Sequence, residues 1–520
     1  MIATGGRDET VRLWDAVTGK ELRRFRGHRG NINAVAFSPD GKTLASGSGD
    51  TYRLDEVAPL RLWDVVSGKE TRLISDNFRQ EIYAVAFSPN GRILASAGNP
   101  MVTGLRCDVI RLWDAATGKE LRRFGGLVRV RALAFAPDGK TLAASTYNVN
   151  DGQEAIHLWD VGTGKERGKT VRKAGGLFYP LAFSADGHTL AWSENERRPR
   201  GDKGSPRVGR IVRFWDSRSG RMFPGLVGQQ DDVGAVAFSP DGKTLFTGDT
   251  GGAVHLWEVA TGRERHRFEG HKRGGVGCVA FTPSGRAVLS GSGDGTVMVW
   301  DVTAPLANQP PRKGILSKQE LNTLWDALAG DPPAANRAMW TLVGAPGQAV
   351  PLLKGRLRPA GGDRQRLPGL LADLDSKRFE VRERASRELE RFGEVAEPSL
   401  RRMLVGKPSL EVRRRVEYLL DRLSPRRSPE RLRSIRCVEA LEQIGTPAAG
   451  EVLTALAKGA PESHLTREAQ ASLERLTRRE ARQEPRPPAT PQQPEKRPKK
   501  RARASARGGS GGRHPGPPQR

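Results

Sequence analysis

Four Gly-Lys-Thr triplets, starting at Gly41, Gly139, Gly168 and Gly242, are where this 520-residue chain comes nearest to a chemical motif, because a phosphate-cradling loop ends in those residues. Such a loop also needs a glycine five residues earlier, and those positions hold Ala36, Ala134, Thr163 and Ala237. The triplets are therefore hairpin or loop residues. The eight histidines show no metal-ligand spacing with cysteines or acids, and His266 and His271 form no His-Glu-x-x-His pattern. The one Gly-x-Ser-x-Gly match, Gly508 to Gly512, lies in a glycine-rich stretch with no strand and helix pattern beside it, so it is no nucleophile elbow. The recurring acids stand in turns, where they cap their own backbone. The chain reads as noncatalytic, with no cofactor and no metal site.

What does recur is tryptophan followed by an acid, at Trp14, Trp63, Trp113, Trp159, Trp215, Trp257 and Trp300. The partner is Asp six times and Glu258 once. The spacings, 49, 50, 46, 56, 42 and 43 residues, lie near the ~40–45 of a unit that supplies four strands to one propeller blade. Six of the seven tryptophans are preceded by an apolar run closing on Phe and a turn: Ala34–Gly41, Ala84–Gly91, Ala132–Gly139, Pro180–Gly187, Ala235–Gly242 and Val279–Gly285. In most copies Pro presets φ, and the closing Gly accepts a positive one, so each is a hairpin between strands a and b. Strand c ends on the tryptophan, and a turn such as Thr18-Gly19-Lys20 leads to strand d. Blades of this kind bury their faces against neighbours around a hub.

Over roughly its first 301 residues the chain resembles the WD40 family. The resemblance implies a buried blade network of His, Ser or Thr, Asp and Trp. The last repeat offers His271, Ser290, Asp294 and Trp300. The second offers His28, Ser46, Asp50 and Trp63, with Asp50 in a lengthened connection. The sixth keeps Thr247 and Trp257 but has Gly251 where the acid should stand, so most blades are expected to rely on packing. Residues opening the innermost strand ring the channel mouth, and in this family such positions contact partners. They comprise Asn31, Asn33, Glu81, Tyr83, Arg129, Arg131, Tyr179 and Asp232, the expected contact surface for a protein or peptide. An ordinary hydrated rim is the competing reading. Enlarged connections at 51–59, 99–108 and 194–209, the last strongly basic, are either further contact loops or solvated excursions.

The ends of the array do not match: strand a of blade 1 and strand d of blade 7 are absent from the pattern. A reading frame that begins upstream of Met1, imperfect closure, and a six-bladed ring completed by Glu21–Phe25 would each explain this. We read a seven-bladed ring with a defective first blade and expect a missing amino-terminal piece.

Beyond the ring the apolar period changes from two to about 3.6. Ser317-Lys318-Gln319-Glu320 is a capping box, and Trp325-Asp326 lies on the helix it opens, so it is no eighth blade. Ten amphipathic segments follow between Leu321 and Leu476. Two stretches, 375–400 and 438–456, resemble HEAT-type repeats, with a generic helical bundle as the alternative. A WD40 ring with such a helical region looks like a bacterial multidomain type. The fold class is thus an all-β seven-bladed propeller (1–304), a linker (305–316), an all-α HEAT-like domain (317–480) and a disordered basic tail (481–520).

Net charge is +27. Residues 485–520 hold ten basic and one acidic side chain and no aromatic, a composition that cannot offset its ordering entropy. Lys496, Arg497, Lys499, Lys500, Arg501 and Arg503 could neutralise phosphates and give weak, salt-sensitive nucleic-acid binding, the alternative to protein scaffolding. A solvated tail is the stronger reading, since no stacking aromatics are interleaved. No stretch reaches the ~20 apolar residues of a membrane helix. Three scattered cysteines suit a reducing, cytoplasmic setting.

Overall fold

The computed structural model describes residues 1–483 except 50–59, 75–79, 101–109, 125–128, 149–152, 174–179, 198–207, 218–219, 221, 224, 230–231, 273, 303–314, 360–365, 407 and 424–427. The basic stretch 198–207, Asp50, Tyr179 and the tail from 484, with Lys496 to Arg503, lie outside the described residues. Residues 1–477 form one compact unit and residues 478–520 a second.

Residues 2–301 build a seven-bladed β-propeller of antiparallel sheets. Blade 1 holds strands b, c and d at Ile2–Gly5, Val11–Trp14 and Glu21–Phe25. Blades 2 to 6 have four strands each, their innermost being Asn31–Phe37, Gln80–Phe87, Val130–Phe135, Leu181–Phe183 and Val233–Phe238. Blade 7 holds a, b and c at Val276–Phe281, Ala287–Ser292 and Val297–Asp301. Glu21–Phe25 pairs with Val11–Trp14, so it belongs to blade 1 and the six-bladed alternative falls.

Turn chemistry explains why the strands reverse where they do. In the c–d turns Asp15, Asp64, Asp114 and Asp160 each accept from the backbone N–H three residues on, at 2.6–2.7 Å. The glycine that follows, as at Gly19 with φ 69°, takes the left-handed conformation. Three of the Gly-Lys-Thr triplets sit in a–b turns, with Gly41, Gly139 and Gly242 at φ 66–72°. The fourth lies in strand d of blade 4.

Between blades the packing repeats. Across each of six seams, two apolar residues of strand c, such as Val11 and Leu13, meet a strand-b leucine, or Val288 in the sixth, and the tryptophan of the next blade, such as Leu44 and Trp63. In the sixth seam that core continues into the helices.

Among the described residues ten α-helices follow: α1 Lys318–Ala327, α2 Pro332–Val343, α3 Pro346–Arg356, α4 Leu367–Asp373, α5 Phe379–Phe392, α6 Glu397–Val405, α7 Leu410–Arg422, α8 Pro429–Ile444, α9 Pro447–Ala457 and α10 His464–Gln483. The capping box forms, with the Glu320 N–H donating to Ser317 Oγ and the Ser317 N–H to Glu320 Oε2. Trp325 on α1 is flanked by the guanidinium groups of Arg356 and Arg433, each 5.0 Å from the ring centre. Helices α1–α3 and α8–α10 share the core of blades 6 and 7, whereas α4–α7 enclose a separate one around Leu389, Leu400 and Val416.

Candidate functional site

In strand a of blades 2, 3 and 4 the register with strand b shifts at Asn33, Tyr83 and Arg131, and a bulge of this kind re-aims a side chain. Among these, Tyr83 is the centre of a linked group. Its hydroxyl donates to Glu81 Oε2 at 2.8 Å, and the Arg131 guanidinium from the next blade lies 4.7 Å from its ring centre. Burial, then the Glu81 hydrogen bond, push the Tyr83 hydroxyl above its ordinary pKa. Asn33 is exposed and reaches across to the next blade, donating to the Ile82 carbonyl at 3.3 Å. Glu81 is only 4% exposed, so it positions Tyr83 and presents little surface itself. Asn31, Arg129 and Asp232 are half-buried. Blades 2, 3 and 4 therefore bring Asn33, Tyr83 and Arg131 onto one arc.

The blade network is more widely spread than the resemblance implied. Trp indole N–H groups donate to a strand-b hydroxyl in five blades, at Thr4, Ser46, Ser96, Thr247 and Ser290, over 2.7–2.9 Å. In blades 4 and 5, Trp159 and Trp215 face Ala144 and Trp192 at that position. His28 pairs with Ser46 at 2.6 Å. His271 pairs with Ser290 at 2.7 Å and with Asp294 at 3.2 Å. Burial, then the nearby Arg61 charge, lower His28 to about 3. Blade 6 corrects the expectation that its acid is lost: Asp249, at the end of strand b, bonds His255 Nε2 at 3.0 Å and the Ala253 N–H at 2.8 Å.

A second recurring device escaped sequence reasoning. Two residues before the tryptophan stands Arg or His, which stacks on the indole and pairs with a glutamate opening strand d. His157 and Glu166 are 2.7 Å apart, His255 and Glu264 3.3 Å, and Arg61 pairs with Glu70. The rings of His157 and His255 lie within 6 Å of their tryptophans, as does the Arg61 guanidinium. Burial alone would lower His255, but its bonds to Asp249 and Glu264 hold it up, at about 9.

The outer side of blade 6 is clamped to the helices by buried charge. Arg265, from strand d at Arg263–Phe268, pairs with Glu439 of α8 at 2.7 and 2.9 Å and with Glu258 at 3.1 Å. Arg436 of α8 grips Glu258 with two bonds of 2.7 and 2.8 Å and donates to the Leu328 and Gly330 carbonyls. Burial raises the Glu258 carboxyl, but Arg265 and Arg436 outweigh it and bring it down to about 2. Beside this, Lys243 lies 3.0 Å from Glu468 and 3.7 Å from Glu442, both also held by Arg475. The signal was present in the chain: Glu258 is the only Glu among the seven acids, and its extra methylene lets it reach Arg436 where an Asp would cap its own turn.

No group of three or more His, Cys, Asp or Glu among the described residues could hold a metal ion. No helix among them is long and apolar enough to cross a membrane.

The family model described as "WD domain, G-beta repeat" matches residues 19–52, 68–114, 222–258 and 262–301. The chain carries WD40 repeats. Its WD40 ring is similar to part of a guanine nucleotide-binding protein subunit beta from Oryza sativa subsp. indica, 46% identical over 59 residues, which are 11% of this chain and 16% of that one. It is also similar to a nuclear distribution protein of Mycosarcoma maydis, 46% over 46 residues, 9% of this chain and 10% of that one. A third relative is a serine-threonine kinase receptor-associated protein of Gallus gallus, 48% over 54 residues, 10% and 15% of the two chains. The matches thus span about a sixth or less of each relative's length.

Proposed function

We propose that this WD40 protein is a noncatalytic scaffold that binds a protein or peptide across the arc formed by Asn33, Tyr83 and Arg131, with the helices as a second platform. WD40 rings, and relatives named as a subunit or as receptor-associated, point to protein–protein interaction in general. The observation that supports this particular arc is the Glu81–Tyr83–Arg131 group. An aromatic body with a polar tip and an adjacent guanidinium, fixed from below by a buried carboxylate, is the composition found at interaction hot spots. The order imposed by Glu81 lowers the entropy lost on binding.

Affinity capture with the full chain, followed by mass spectrometry, tests the reading. Proteins retained by wild type should fall at least tenfold with Tyr83→Ala or Arg131→Glu, while the melting temperature stays within a degree or two. Retention of the same proteins at the same level by both variants would sink the assignment.

A further inference from the structure

A repeated fold lets one blade show what another is built to hold. In blade 6 the socket that receives α8 consists of Lys243, Thr244, Glu258 and Arg265. Arg265 stands at the bulge of strand d, where Leu256 pairs with His266 and Trp257 with Glu264. Its Nη1 donates to Thr244 Oγ1 at 3.2 Å and its Nη2 to Glu258 at 3.1 Å, and the same two nitrogens grip both carboxylate oxygens of Glu439 at 2.7 and 2.9 Å. Glu442, three residues along α8 and so on the same helical face, lies 3.7 Å from Lys243, which follows the a–b turn.

Blade 4 repeats the socket and leaves it exposed. Arg167 stands at the same bulge, between the pairs Trp159–Glu166 and Leu158–Gly168. Its Nη1 donates to Thr141 Oγ1 at 3.3 Å and its Nη2 pairs with Asp160. Thr141 and Thr244 both open strand b, each just after the turn lysine, Lys140 or Lys243. The Arg167 side chain is 48% exposed where that of Arg265 is 4%, and Lys140 is exposed where Lys243 is buried. The bulge carries Leu22, Thr71 and Leu121 in blades 1, 2 and 3, and among the described residues no blade but 4 and 6 places an arginine there.

The two acids set what an occupant must bring. Asp160 is a methylene shorter than Glu258 and accepts from the Thr163 N–H and hydroxyl at 2.6 and 2.9 Å, so it serves its own turn and asks for no counterpart of Arg436. Lys165 and Lys169, on either side of Arg167, are exposed as well, so the edge attracts acid. Within this chain α8 is engaged at blade 6. Residues 485–520, with ten basic side chains and one acidic, have the wrong sign.

We propose that the outer side of blade 4 is a docking site for an acidic helix of a partner protein, one that carries Glu-x-x-Glu. The first glutamate takes the Arg167 guanidinium with both oxygens, as Glu439 takes Arg265, and the second meets Lys140, as Glu442 meets Lys243. This surface is separate from the channel arc of Asn33, Tyr83 and Arg131, and either reading can fail alone.

A fluorescent, helix-stapled peptide copying α8, residues 429–444, is titrated into the full chain and followed by anisotropy. We expect saturable binding that weakens at least tenfold with Arg167→Glu or Lys140→Glu in the protein. Lys42→Glu, in the blade 2 turn whose bulge holds Thr71, should leave it unchanged. A Glu439→Arg peptide should bind wild type poorly and regain at least tenfold on the Arg167→Glu protein, a recovery that general attraction to a basic surface does not give. Lys140→Glu with a Glu442→Lys peptide repeats the exchange should Arg167→Glu lower the melting temperature. Absence of saturable binding, binding indifferent to both substitutions, or a loss that neither exchange recovers overturns the proposal. So does sedimentation showing a dimer that Arg167→Glu dissolves, because the site would then belong to a second copy of this chain.

Discussion

Blades 6 and 7 are neighbours with the same a–b turn, its glycine at φ 72° in Gly242 and 70° in Gly285, but their surroundings are opposite. Blade 6 is covered on both faces and at its outer edge: its strand b packs against blade 5, its strand c against blade 7, and its Glu258 and Arg265 are locked to α8. Blade 7 has one covered face and one bare one, and three strands among the described residues. The difference teaches that a repeat does not carry its own stability. The same pattern of small apolar residues is core in one place and surface in the next, according to what the chain brings against it.

Removing the clamp should have the largest effect. Arg436→Ala leaves Glu258 buried and short of its main partner, a loss of about 3–5 kcal/mol when one member of a buried pair is removed. Denaturant unfolding should show that fall in midpoint. A loss under about 1 kcal/mol would mean the charges are incidental to packing.

Equivalent positions in the two blades come next. Leu256→Ala in blade 6 opens a cavity in a filled seam and should cost about 2–5 kcal/mol. Val299→Ala, at the position that likewise directly precedes the blade's tryptophan but is half-exposed, should stay within about 0.5 kcal/mol. Equal losses would show that Val299 is covered in solution, and so would erase the contrast.

The smallest effects are those of pH, and blade 6 should feel both ends of the scale. Glu258 has a lowered carboxyl, so its contribution is fully present above its ordinary 4.5 and disappears as pH falls toward about 2. His255 is raised, so its contribution is complete below 6.5 and disappears as pH rises through about 9. The stability gap between wild type and Glu258→Gln should therefore narrow in acid, and that between wild type and His255→Gln in alkali. Gaps that hold constant across those ranges would contradict the ion pairs.

Much of the fold was legible before any coordinates. Tryptophan–acid spacing and turn glycines recur because each blade solves the same local problem, and the switch to a 3.6 period marks where helices begin. The ten helical segments follow from that period alone, since an apolar stripe needs only local spacing to be read. The three-stranded first blade was legible for the same reason. The clamp was legible only in part: Glu258 stands out as the one Glu among the acids after the tryptophans, but its partner Arg436 is 178 residues away, and nothing local marks that arginine as the one that will be buried.

The chain alone thus determined the elements, their order and the chemistry of each turn, all of which depend on neighbours within a few residues. Tertiary structure alone decided which charges are buried together, that Glu81 lies beneath Tyr83, and that Val299 is exposed where Leu256 is core. Those outcomes depend on which distant surface covers a side chain, and burial is a property of the assembled molecule, not of the residue.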